Sequence, residues 1–151
     1  MAVIAFDTSA LIRRYDRREP GSSAVRALCR RGIRNTLLIS QITPVEVASA
    51  LARKTREGAV GPAERDLLWR LFRQHRHTQY RVLALSEVVC GQAERLLFTY
   101  SLRAYDAVQV ATALAAAELL RDLTADFRFC TADRPQAEAA RAEGLAVELI
   151  A

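Results

Sequence analysis

Short apolar runs alternate along the chain with longer segments in which apolar residues recur every three or four positions. The apolar runs predict five strands, at residues 2–6, 36–40, 80–85, 127–132 and 145–150. The intervening segments predict helices at residues 22–32, 44–58, 62–75, 86–99, about 103–121 and 135–143. Strands that are apolar throughout and separated by helices are typical of a parallel sheet covered on both faces.

Right-handed crossovers between such strands give a three-layer α/β/α sandwich around a central parallel sheet of about five strands. No linker, repeat or low-complexity tract divides the 151 residues, so we expect a single domain over residues 1–151. Ligands of such sheets bind beyond the carboxyl ends of the strands. Asp7 directly follows the first predicted strand and Asp133 closely follows the fourth, so both are expected at that edge.

The composition is that of an ordinary globular protein, with 51% hydrophobic and 26% charged residues. No apolar run approaches the ~20 residues of a membrane span, so we expect a cytoplasmic protein without a membrane partner. The formal net charge is +5, and Lys54 is the only lysine. Arginine forks match phosphate oxygens, which favours a nucleic-acid partner, whereas a coding bias towards arginine is the alternative explanation.

The cysteines and histidines do not predict a metal site. Cys29, Cys90 and Cys130 are far apart and each lies among apolar neighbours, so we expect buried free thiols rather than a zinc site or disulfides. His75 and His77 lie two positions apart in a polar segment between a helix and a strand, and residues at that spacing do not share a helix face.

Taken one at a time, three of four acidic residues can be explained by a local structural role, and the fourth lies where an acid costs free energy. Asp7 could form an Asx turn or cap the short helix after it, and Asp133 could cap the helix that follows it. Thr43 and Glu46, in "TPVE", have the spacing of a capping box. Asp106 interrupts the apolar face of "LRAYDAVQVATAL", where an acid costs free energy unless a positive group meets it.

Taken together, the four acids can converge at one edge of the sheet. Close carboxylates repel one another and raise their own pKa values, and a hard divalent cation with oxygen ligands resolves that repulsion. Mg²⁺ suits this donor set, and Mn²⁺ is a possible substitute. Thr8, Ser9 and Thr131 place neutral oxygens near the same edge, either as supporting groups or as local turn hydroxyls.

Four segments of the chain, in order, resemble the motifs of PIN-domain ribonucleases of the VapC toxin type. They are "DTSALIRRYDRREPGS", "TPVEVASALARKTREG", "LRAYDAVQVATAL" and "FCTADRPQAEAARAEGL", and together they span essentially the full chain. The resemblance implies that Asp7, Glu46, Asp106 and Asp133 bind metal. Asp126 is a nearby alternative to the fourth acid.

The resemblance also implies an activity and partners: a Mg²⁺-dependent endoribonuclease that acts as a toxin, inhibited by a cognate antitoxin protein and forming a homodimer. Glu46 would bind metal through water or position the attacking water. Arginines at the rim would bind RNA, namely Arg13, Arg14, Arg17, Arg18 and Arg134. The apolar stripe around Trp69 is either core or the antitoxin groove, and a non-catalytic nucleic-acid-binding module is the alternative function.

Two other enzyme classes with an acid after the first strand are excluded by single residues. Phosphatases of the haloacid dehalogenase type need a second aspartate two positions on, where this chain has Ser9. A phospho-receiver domain needs a lysine after its last strand, whereas Lys54 lies mid-chain on a predicted helix.

Overall fold

The structure is a computed structural model that describes all residues from Met1 to Ala151. Five strands form one sheet: β1 (Val3–Phe6), β2 (Thr36–Ser40), β3 (Tyr80–Leu83), β4 (Phe127–Thr131) and β5 (Ala146–Leu149). The α-helices are α1 (Thr8–Leu11), α2 (Ser22–Leu28), α3 (Thr43–Arg56), α4 (Pro62–Thr78), α5 (Glu87–Thr99), α6 (Ala104–Leu119) and α7 (Arg134–Ala142). Short 3₁₀ turns lie at Ile12–Arg14 and Arg31–Ile33.

The sheet is parallel throughout, and its strands lie in the order β3-β2-β1-β4-β5. The chain moves outward from the central β1 through β2 and β3, and then returns to the other side of β1 as β4. This reversal opens a crevice beyond the carboxyl ends of β1 and β4, where Phe6 is paired with Cys130. The predicted three-layer α/β/α fold with a five-stranded parallel sheet is confirmed.

Alternating strand side chains supply a separate core on each face of the sheet. Ile4 and Phe6 of β1 belong to the core formed with α1 to α4. Ala5, between them, belongs to the opposite core, which it forms with Phe129 of β4 and the small apolar residues of α5 and α6. The central strands are therefore buried on both sides, which explains why their sequences are apolar without alternation.

Two local predictions are wrong. Helix 22–32 is shorter than predicted, because α2 ends at Leu28 and Arg30 adopts an extended conformation before the second 3₁₀ turn. Gly32 lies inside that turn and does not end the helix. His75 and His77 lie within α4, which continues to Thr78, rather than in a segment after it.

The stripe around Trp69 divides between core and surface. Phe72 is fully buried and Trp69 stacks on it with the ring centroids 5.5 Å apart, whereas Leu67 and Leu71 are exposed. The thiols are all free; two are buried, as predicted, and Cys90 is only partly buried. None of the helices combines the length and the apolar character that crossing a membrane requires.

We predict that Gly21→Ala destabilises the fold more than Gly58→Ala does. Both glycines have left-handed φ angles, +81° and +78°, so alanine is strained at each by about 1 kcal/mol. A Cβ on Gly21 would also lie 2.2 Å from Cγ2 of Ile150, whereas a Cβ on Gly58 meets nothing within 4 Å. Chemical denaturation should show an additional loss of roughly 1–3 kcal/mol for the Gly21 variant. Equal losses of unfolding free energy in the two variants would contradict the close approach of Ile150 to Gly21.

Candidate active site

All four predicted acids lie around one open cleft beyond the carboxyl edge of the sheet. The cleft has a volume of about 1020 Å³. Asp7 follows β1, Asp133 follows β4, Glu46 lies in the first turn of α3 and Asp106 in the first turn of α6. Four separate elements thus carry acidic side chains to the same place, as the sequence predicts.

Asp7 is the most buried of the four acids, with only 1% of its surface exposed. Its carboxylate caps α1 by accepting a hydrogen bond from Ala10 N (3.1 Å), and it accepts a second from Ser9 Oγ (2.7 Å). Burial raises the pKa of Asp7 to about 6, and the charge of Asp133 adds to that rise. The capping role and the position in the cleft are therefore compatible.

Ser9 ties the ends of β1 and β4 together. Its hydroxyl donates to Asp7 and accepts from the backbone N–H of Ala132 (3.0 Å), while Thr131 Oγ1 lies 3.3 Å away. Thr131 in turn accepts from the backbone N–H of Asp133 (3.0 Å). Ser9 and Thr131 thus hold the two strand-end acids in a fixed relation.

Asp133 and Asp106 face each other across Gln136. Asp133 caps α7 by accepting from Gln136 N (3.3 Å), and Asp106 Oδ1 accepts from Gln136 Nε2 (3.1 Å). Burial and the charge of Asp133 raise the pKa of Asp106. Gln136 is 3% exposed, and its Oε1 has no hydrogen-bond partner. Gln136 thus contacts both acids, Asp133 through its backbone N–H and Asp106 through its side-chain amide.

Glu46 is held by side chains from α1 and α6 rather than by a capping box. Its Oε1 accepts from Gln109 Nε2 (2.7 Å) and Thr8 Oγ1 (2.9 Å). Helix α3 has no side-chain cap, and Thr43 Oγ1 accepts from Gln109 (3.1 Å), so the capping-box explanation for Glu46 is wrong. Burial, followed by the charge of Asp106, raises the pKa of Glu46.

No cationic side chain forms an ion pair with any of these four acids; the ion pairs of the protein involve other residues. Lys54 pairs with Asp16 and Glu19. Asp126 precedes β4, at the opposite edge of the sheet, and pairs with Arg128 (2.9 Å). Asp126 therefore lies too far from the other acids to be the fourth acid of the cleft, whereas Asp133 lines the cleft.

The donor set fits a hard cation such as Mg²⁺, because it consists of carboxylate, hydroxyl and amide oxygens. No three acidic side chains lie close enough together to chelate an ion directly. Mg²⁺ keeps several of its waters and is usually bound through one or two carboxylates, so an open acidic cleft suits it better than a closed cage.

None of the arginines predicted to bind RNA lines this cleft. Arg14 and Arg17 line a second cleft, and Arg134 is exposed at the start of α7. Arg13 donates to the backbone carbonyl of Ser9, and Arg18 is paired with acids. The 3₁₀ turn after α1 directs this part of the chain away from the acids.

Sequence reasoning missed two kinds of residue in the cleft. Arg53 of α3 and Arg103, just before α6, are the arginines that line it. Gln109 and Gln136 supply the neutral donors that hold Glu46 and Asp106. Gln109 carried a signal, since it is a polar residue three positions after Asp106 within an apolar helical segment.

The sequence model of the family described as "PIN domain" matches residues 4–142. No curated protein matches the chain. FitAcB from Neisseria gonorrhoeae has a similar structure, with a TM-score of 0.67 and 18% identity over 96% of both chains. VapBC2 from Rickettsia felis, bound to a DNA fragment from their promoter, has a TM-score of 0.66 and 12% identity over 100% of both chains. A toxin–antitoxin complex from Klebsiella pneumoniae has a TM-score of 0.57 and 20% identity over 90% of this chain and 91% of that chain.

We predict that Asp7→Asn stabilises the metal-free protein at alkaline pH. The folded-state pKa of Asp7, about 6, exceeds its ordinary value of 3.8, so burying the ionised form costs free energy above pH 6 and nothing below pH 3.8. The variant should be more stable than the wild type at pH 8 in EDTA, by up to about 3 kcal/mol, and this difference should vanish as the pH falls towards 4. Urea unfolding across this pH range measures it. A variant less stable at pH 8 would contradict the assigned cost.

Proposed function

The chain belongs to the PIN-domain family, and on this basis we propose that it is a metal-dependent endoribonuclease that acts as the toxin of a toxin–antitoxin pair. One observation carries the proposal: four carboxylates from distant parts of the chain line one cleft, and no lysine or arginine pairs with any of them. A fold that brings unpaired acids together is stabilised when a cation binds between them. The reaction that we propose is hydrolysis of an RNA phosphodiester.

Asp7, Asp106 and Asp133 would hold Mg²⁺ or Mn²⁺ in the proposed enzyme, in part through waters that the ion keeps. When bound, such an ion lowers the pKa of a coordinated water and neutralises the charge that develops on the phosphoryl group. Ser9 and Gln136 position these acids through the hydrogen bonds described above. Arg53 and Arg103 flank the cleft and supply the positive charge that a phosphate backbone requires.

Glu46 is suited to act on the attacking water, as ligand through water or as general base. Thr8 and Gln109 both donate to its Oε1, which fixes the carboxylate and leaves Oε2 without a protein partner. Burial raises the pKa of Glu46 and so brings its basicity closer to that of a base that works near neutral pH. In this role Oε2 accepts the proton of the water.

An antitoxin partner is proposed from the nature of the similar structures. The Klebsiella pneumoniae structure is a toxin–antitoxin complex, and it shares the fold of this chain at 20% identity. We also propose a homodimer, as the family resemblance implies. Leu67 and Leu71 of α4 are exposed and belong to the apolar stripe around Trp69, which would bind the antitoxin.

We predict that this protein cleaves RNA when Mg²⁺ or Mn²⁺ is present and does not cleave it when EDTA removes the metal. The substitution Asp7→Asn should lower the cleavage rate on the order of a hundredfold or more, because a charged oxygen is lost from the cleft. Incubation with total RNA, read on a gel, measures this. Asp122→Asn is the matched control, because Asp122 is an exposed acid outside the cleft.

A binding assay run beside the cleavage assay distinguishes the alternative function. RNA binding without metal-dependent cleavage would favour a non-catalytic nucleic-acid-binding module. Full cleavage by the Asp7 variant would refute the assignment of this cleft.

We predict that millimolar Mg²⁺ or Mn²⁺ raises the Tm of the wild type and not that of Asp7→Asn. A ligand at one hundred times its Kd stabilises the folded state by about 2.7 kcal/mol. For a chain of this length, that free energy corresponds to a rise of roughly 5–10 °C. Differential scanning fluorimetry with Asp122→Asn as control measures the shift. The acidic cleft does not bind metal if the wild type shows no shift.

A further inference from the structure

A second cleft, which we call the arginine cleft, lies on the other side of the 3₁₀ turn that follows α1. It has a volume of about 420 Å³ and lies between the end of α2 and the second half of α4. Five arginines line it, and no acidic residue does: Arg14, Arg17, Arg26, Arg30 and Arg31. The arginine cleft shares no residue with the acidic cleft.

The five guanidinium groups have no acidic partners. None of them forms an ion pair, whereas Arg18, Arg95 and Arg128 each bind a carboxylate elsewhere on the surface. Like charges gathered without counter-charges repel one another, and a bound anion removes that repulsion. The field of the cleft also acts on His75 in its wall, whose pKa is lowered to about 4 by burial and by the charges of Arg14 and Arg31.

Arg14 is held in place by neutral groups only. Its Nη1 donates to the Tyr80 hydroxyl and its Nη2 to Gln79 Oε1, each at 2.7 Å. The guanidinium lies over the rings of Tyr15 and Tyr80, 5.8 and 5.6 Å from their centroids. A half-buried, fixed cation with neutral partners and further N–H groups free is pre-organised for an oxyanion.

We propose that the arginine cleft binds phosphate groups of the RNA strand whose scissile bond lies in the acidic cleft, an inference that rests on the proposed function. One short segment separates the two clefts: Ile12 lines the acidic cleft and Arg14, two residues later, lines the arginine cleft. An RNA strand that runs along this segment reaches both clefts. Leu68 and Leu71 form an apolar wall of the arginine cleft, against which a base can pack.

Electrostatics favours a second contact of this kind. The acidic cleft carries four carboxylates against the two arginines Arg53 and Arg103, so without a metal ion it repels a polyanion. Cations outside the acidic cleft therefore add to the attraction that Arg53 and Arg103 supply for the phosphate backbone.

The test is the salt dependence of RNA binding by a triple variant, Arg26→Gln, Arg30→Gln and Arg31→Gln. These arginines are exposed, so the fold should tolerate the changes, and an unchanged Tm would verify it. The control triple variant is Arg56→Gln, Arg81→Gln and Arg141→Gln, which removes the same charge from exposed positions outside both clefts. Fluorescence anisotropy with a labelled single-stranded oligouridylate in EDTA reports binding without cleavage.

We expect the cleft variant to bind RNA on the order of tenfold more weakly than the control variant at moderate salt. Each phosphate contact on a single strand contributes about 0.7 to the slope of log K against log [salt], so the slope should be lower by about 2 in the cleft variant. Equal affinities and slopes in the two variants would overturn the proposal, as would a wild type that does not bind oligouridylate at low salt.

Polyglutamate in the same assay distinguishes an acidic polypeptide from RNA. If the cleft variant loses polyglutamate binding and keeps RNA binding, the arginine cleft is a site for an acidic protein segment and the RNA assignment is wrong. The proposed function fails separately: a wild type that binds RNA through the arginine cleft and does not cleave it with metal keeps the arginine cleft as an RNA-binding site and loses the nuclease.

Discussion

Repulsion among four carboxylates is the constraint on which the arrangement of the cleft depends. Asp7, Asp106 and Glu46 each have a pKa raised chiefly by burial, and the charge of a neighbouring acid adds to the rise in every case. The protein offsets part of this cost with neutral donors, namely hydroxyls and amide N–H groups, and Arg103 lowers the pKa of Asp106 without forming an ion pair with it. A lysine or arginine bound between the acids would lower their pKa values and would exclude a metal ion. The acids are thus fixed in position while their negative charge remains available.

Topology explains how residues so far apart in sequence meet. All strands are parallel, so every strand ends at the same edge, and the reversal between β1 and β4 leaves an opening there. Asp7 follows β1 directly and Asp133 lies two residues after the end of β4. Helices α3 and α6 begin at the same edge, with Glu46 and Asp106 in their first turns. An acid in the first turn of a helix is also favoured by the helix dipole, which compensates some of the repulsion.

The fold and the four acids could be predicted from the sequence because each has a local pattern: apolar runs for strands, helical periodicity between them, and an acid directly after a strand or on an apolar helix face. The positions of the arginines between Arg13 and Arg18 could not. Their direction depends on the 3₁₀ turn at Ile12–Arg14, a backbone detail that leaves no periodic signal. The amides of Gln109 and Gln136 were missed for a different reason, since a neutral side chain on a helix is ordinarily a surface residue. The predicted capping box does not form, and the Thr43 hydroxyl instead accepts a hydrogen bond from Gln109, which is distant in sequence.

The segment from Ser9 to Arg17 separates opposite charges over a short distance. Ser9 and Ile12 face the acids, whereas Arg14 and Arg17 face the arginine cleft, so one turn of chain forms the wall between a negative and a positive region. Direct pairing across this wall would neutralise both regions and would leave neither a cation site nor an anion site. The structure prevents it by fixing Arg14 on Tyr80 and Gln79, and by fixing Asp7 on Ser9 and Ala10. Neutral partners on both sides thus preserve the charge separation that binding a metal ion and a polyanion together requires.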